Sequence, residues 1–124
     1  MGYMRHHGIL VTSWNDEFIE KVHAKALEIF DLPNNQTESY ELVSAVTPAV
    51  MNGYRSFAVF PDGSKEGWET SDEYEIRREQ FIAYLKTRVY EDGSGPLSWV
   101  LVQYGDDDGG ILVLDSDVKA ISVG

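Results

Sequence analysis

Residues 52–69 read NGYRSFAVFPDGSKEGWE, and this stretch decides the middle of the fold. Asn52-Gly53 is a hairpin signal, because both residue types tolerate positive φ. Residues 54–60 then alternate as a strand, with Arg55, Phe57 and Val59 on one face and Tyr54, Ser56, Ala58 and Phe60 on the other. Pro61-Asp62-Gly63 turns the chain, and a loop carrying Trp68 leads toward a helix.

Upstream, a second strand is expected over residues 40–47, ended by Pro48, which cannot donate to a ladder. Before it, residues 8–13 (GILVTS) form a short, nearly continuous apolar run, expected to be buried on both faces near the sheet centre. A helix follows directly. Ser13 or Asn15 caps it, and Asp16 and Glu17 favour the positive end of its dipole. Phe18, Val22, Ala26 and Ile29 recur at helical spacing, flanked by Ile19 and Phe30. Pro33 stops the helix near Asp31, since a residue before proline avoids the α region.

Downstream, Thr70 and Glu73 have the spacing of a capping box. Tyr74, Phe81, Leu85 and Val89, helped by Ile82, supply the apolar stripe of a second helix that Gly93 ends after Asp92. Two more strands are expected over residues 97–104 and 110–115, joined by a turn over 105–109. The order β-α-β-β-α-β-β predicts an α+β fold: a ferredoxin-like two-layer sandwich, mainly antiparallel, with two helices on one face and an extra C-terminal strand.

The 124 residues suit one domain spanning 1–124, large enough to bury a core without disulfides. No cysteine is present, which excludes disulfides, thiol catalysis and thiolate metal sites. No apolar run approaches the ~20 residues of a membrane-spanning helix. The start, MGYMRHHG, lacks an apolar h-region, so a cytoplasmic location is expected. A formal net charge of −11 repels nucleic acid and anionic membranes, and neither is expected as a direct partner.

Catalytic motifs are not assembled by this sequence. His6 and His7 are adjacent on an extended segment and point to opposite sides, which makes joint metal ligation poor. His23 reads as a surface position among Lys21 and Lys25. Asp106-Asp107-Asp108-Gly109-Gly110 lacks the spacing and terminal Glu of an EF-hand and reads as an acidic hairpin tip. The carboxylates are too numerous for any pair to stand out as acid and base. No metal, cofactor or catalytic residue is therefore assigned.

What remains is aromatic and basic. Trp99 reads as core, Trp14 and Trp68 as hydrophobic staples before helices, Arg77 and Arg78 as solvated helix charges paired with Glu73, Glu75 or Glu79, and Arg55 as a salt bridge or a snorkelled stem. A sharper reading places Arg55, Lys65 and Trp68, with His7 or Trp14, along a groove between the third strand and second helix. A guanidinium fork beside an indole face suits a flat anion such as a nucleotide.

The segments NGYRSFAVFPDGSKEGWETSD, REQFIAYL and DGSGPLSWVLVQYGDD resemble a pattern found in small uncharacterised proteins of bacteriophages and prophages. The resemblance implies an accessory role in the bacterial cytoplasm, directed at a host system, and brings no functional residues with it. Three expectations follow in order: a non-enzymatic protein that binds a protein partner or itself, as a homodimer through the sheet face; a small-anion or nucleotide binder; and a small hydrolase or isomerase.

Overall fold

A computed structural model of the chain describes residues 5–30, 42–63, 67–89, 95–105 and 111–117. The element order is β1 (His6–Ser13), α1 (Asp16–Phe30), β2 (Arg55–Val59), α2 (Glu69–Thr87), β3 (Leu97–Tyr104) and β4 (Leu112–Ser116). The four strands form one sheet in the order β2-β1-β3-β4, and every neighbouring pair is antiparallel. Both helices pack on one face through Ile19, Val22, Ala26, Phe30, Tyr74, Phe81 and Leu85. The fold is the α+β sandwich expected from the sequence.

The expected second strand is present only as an irregular edge. Residues 42–47 run beside β2 with one antiparallel bridge, Val43 to Val59. Backbone bonds Phe60 N to Leu42 O (2.8 Å), Ser44 N to Ala58 O (2.9 Å) and Thr47 N to Ser56 O (2.9 Å) hold it there. Side chains interrupt a regular ladder: Ser44 Oγ and Thr47 Oγ1 themselves accept from Ala58 N and Ser56 N. The link to β2 is a short 3-10 turn, Met51–Gly53, in which Asn52 (φ 58°) and Gly53 (φ 74°) both adopt the left-handed conformation.

β1 is central, as expected, but only one of its faces is buried. Ile9, Val11 and Ser13 face the helices, whereas Leu10 on the opposite face is 50% exposed. The described helices cover a single side of the sheet, so the alternation of a half-buried strand replaces burial on both sides. In α1 the buried line is Ile19, Val22, Ala26 and Phe30, with Phe18 and Ile29 at its margin. The axis of the apolar stripe is thus one residue round from the expected one. Asn15 is the cap, its Oδ1 accepting from Phe18 N at 3.1 Å.

α2 differs from expectation at both ends. It begins at Glu69, with Trp68 as the preceding residue and no side-chain cap. Thr70 lies inside the helix, and Glu73 is engaged at 2.8 Å by Arg77. The helix stops at Thr87, whose hydroxyl donates to Tyr84 O at 2.7 Å, and Arg88 leaves helical geometry. Val89 is therefore exposed and outside the stripe. Residues 93 and 106–110, to which a helix stop and an acidic tip were assigned, lie outside the described residues.

Candidate functional site

The expected groove does not assemble from the described residues. Arg55 opens β2 opposite Ser13, while Val59 closes it opposite Ile9. His7 therefore lies toward the other end of β1, two residues before Ile9. Trp68 follows the turn beyond β2 and precedes Arg78 by ten residues of chain, or about 15 Å of helix. Arg78 in turn faces Asp62, just past the Val59 end. Arg55 and Trp68 thus belong to opposite ends of the sheet. Trp14 lies at the Arg55 end, next to Ser13, and Lys65 is outside the described residues. Trp14 and Trp68 are 51% and 54% exposed, so neither is a buried staple. Trp99 is core, as read.

Arg55 is a strap, and its ion pairs match the salt bridge read for it from the sequence. Its Nε donates to Thr47 O at 3.0 Å, and one terminal nitrogen faces Asp16 at 3.5 Å and Glu20 at 3.3 Å. It ties residues 42–47, β2 and the start of α1 together. Both carboxylates are largely exposed, so the ion pairs contribute little and the bond to Thr47 carries most of the effect. Arg55→Ala is expected to cost about 1 kcal/mol. Urea unfolding would register it as a lower midpoint with an unchanged slope.

Three further side chains differ from their sequence readings. His23 is half-buried, with Nε2 2.9 Å from Ser44 O and its ring edge-on to Phe57 at 5.1 Å. It is a second strap between α1 and residues 42–47. Arg77 donates to Ile29 O at 2.8 Å and stacks on Tyr74 at 5.2 Å, joining the two helices. Arg78 is only 9% exposed. Burial pushes its pKa down, opposed by Asp62, Glu75 and Glu79. The sequence did carry a signal for this residue: Arg78 stands at i+4 from Tyr74 and i−3 from Phe81, filling the gap in the apolar stripe.

His6 and His7 point to opposite sides, as expected. His6 stacks on Tyr104 at 5.5 Å, and His7 Nε2 meets Gln103 Oε1 at 3.0 Å. Among the described residues no group of three His, Asp or Glu side chains is arranged to hold a metal. No helix among them is long and apolar enough to cross a membrane.

Among the described residues, no helix packs on the other face of the sheet. Strand alternation and register assign to it His6, Gly8, Leu10 and Thr12 of β1, Ser56 and Ala58 of β2, and Phe60 just beyond. β3 adds Ser98, Val100, Val102 and Tyr104, and β4 adds Val113 and Ser116. Leu10, Phe60, Tyr104 and Val113 are 50%, 53%, 39% and 56% exposed. None of these residues is Asp, Glu, Lys or Arg, in a chain that has 21 acidic residues. Exposed apolar side chains on a face without carboxylates or ammonium groups suit an interaction surface.

Comparisons of the chain with protein-family models, with curated proteins and with solved structures find no match. The fold class hosts many unrelated activities, so the functional reading rests on the surface itself.

Proposed function

We propose that this is a non-enzymatic binding protein whose open sheet face docks on the same face of a second copy. One observation carries the proposal: the absence of charge from that face in a molecule of net charge −11. A basic protein steered by the acidic surface finds no carboxylate on the face to pair with. A second copy meets it apolar side chain to apolar side chain, without like charges in contact. Two eight-residue strands of ~26 Å and two five-residue strands of ~17 Å, at ~4.8 Å spacing, present roughly 400 Å² per copy. The pair then buries about 800 Å², the small end of interface sizes, which predicts a weak, reversible dimer. The resemblance to phage and prophage proteins supports placing such a dimer as an accessory factor in a bacterial cytoplasm.

Sedimentation across protein concentrations and salt tests this. Two copies each carrying −11 repel at long range, so added salt should strengthen self-association, whereas it would weaken capture of a basic partner. Leu10→Asp, which puts a carboxylate on each side of the symmetric contact, should give a monomer at every concentration. Leu10 is half exposed, so the monomer's own stability should change by less than about 1 kcal/mol. A wild-type chain that stays monomeric at roughly 1 mM, a concentration that populates even contacts worth only about 4 kcal/mol, overturns the proposal.

A further inference from the structure

The helix-side face of the sheet holds a cleft of about 430 Å³ between α2 and the β3–β4 edge. It arises because β4 extends the sheet beyond the reach of the two helices. Ile82 of α2 and Leu101 and Leu114 of the sheet give it an apolar wall. Lys86 Nζ spans from α2 to Asp115 Oδ2 of β4 at 2.8 Å and closes one side. The volume falls in the usual ~300–1,000 Å³ range of small-molecule sites.

Arg78 distinguishes this cleft from an ordinary surface groove. Its side chain lines the cleft and is largely buried, 11% exposed. Among the described residues its guanidinium makes no hydrogen bond, and its one ion pair, to Asp62, is 3.8 Å long. That separation exceeds a charge-assisted hydrogen bond by about 1 Å. None of the guanidinium nitrogens is sealed from solvent without a partner. Its donors therefore reach the cleft, where an entering acceptor can meet them.

We infer that the cleft is a binding site for a small monocarboxylate with an apolar body, its carboxylate on Arg78 and its body against Ile82, Leu101 and Leu114. A planar carboxylate matches the guanidinium with two parallel hydrogen bonds. Covering the apolar wall supplies the remaining driving force. Charge limits the ligand to a monoanion. The lining holds two cations, Arg78 and Lys86, and three carboxylates, Glu75, Glu79 and Asp115. A phosphate or nucleotide would bring a second negative charge among those carboxylates, and repulsion would offset the gain at Arg78. The cleft lies on the opposite side of the sheet from the face assigned to self-association, so either assignment can fail without the other.

Titration of the full-length chain with octanoate, followed by amide chemical shifts and thermal unfolding, tests the inference. Octanoate should bind saturably, perturb residues of α2 and β4, and raise the melting temperature. Octylamine and inorganic phosphate, the charge and body controls, should not. Arg78→Met should weaken octanoate binding about ten- to a hundredfold, as expected for lost hydrogen bonds to a charged group. Arg78→Lys should fall between, because an ammonium keeps the charge and loses the fork. Leu114→Asp supplies a variant independent of the core, since Leu114 is half exposed on an edge strand. It should abolish binding while the fold persists. Unsaturable shifts, equal binding of octylamine or phosphate, or octanoate binding that survives Leu114→Asp would each overturn the site.

Discussion

Phe81→Ala is expected to destabilise the protein by about 3–5 kcal/mol, the range for removing a fully buried phenylalanine. Phe81 is 0% exposed and stands where three elements meet. Its ring is edge-on to Phe30 of α1 at 5.7 Å and tilted against Phe57 of β2 at 6.5 Å. Truncation removes the transfer free energy of the ring, leaves a void that rigid neighbours fill incompletely, and breaks two aromatic pairs. Domains of this kind are stable by only about 5–15 kcal/mol, so one such change consumes a large share. Phe81→Leu keeps most of the volume and should cost much less. Urea unfolding monitored by tryptophan fluorescence would measure both. A Phe81→Ala cost below about 1 kcal/mol, the scale of a surface substitution, would contradict the packing described.

Ser13→Ala is expected to cost about 2 kcal/mol, far more than a serine at a strand end usually does. The Ser13 hydroxyl is 1% exposed. It donates to Pro96 O at 2.7 Å and accepts from Asn15 N at 3.0 Å. One atom thus joins the end of β1, the cap of α1 and the entry to β3. Alanine leaves the Pro96 carbonyl and the Asn15 amide without this partner, and the desolvation cost of unpaired groups exceeds the net worth of a bond. Asn15 in turn accepts from Phe18 N at the first turn of α1, so Asn15→Ala should cost about 1 kcal/mol alone. In the double variant the two costs should fall short of additivity, because Ser13 positions the residue that caps. Strict additivity in denaturant unfolding would show that the two bonds act separately.

Much of the fold is legible in the sequence, and particular residues show where legibility stops. β3 has the bounds expected from its apolar run, and Trp99 is core. Asn52-Gly53 turns the chain with both residues at positive φ. These features are local: they follow from alternation and from the dihedral freedom of single residues. The staples at Trp14 and Trp68, the capping box at Thr70 and the solvated reading of Arg78 all depend on what lies across the sheet or on the next helix. Arg55 shows the same divide. Its face on the strand is readable, but its partners Thr47, Asp16 and Glu20 come from two other elements.

The sequence alone determined the element order, the antiparallel α+β sandwich, the absence of thiol chemistry and the acidity of the molecule. Hydrophobic periodicity, turn chemistry and composition act over a few residues, and each is read without knowing its neighbours in space. The tertiary structure decided which apolar faces stay uncovered and which charges are buried. Both described helices lie on one side of the sheet, which leaves Leu10, Phe60 and Val113 about half exposed on the other. β4 lies beyond α2, which places Arg78 in a cleft beside Leu101 and Leu114. Both outcomes are consequences of how many layers the chain can supply, a property of the assembled sheet and of no single stretch of residues.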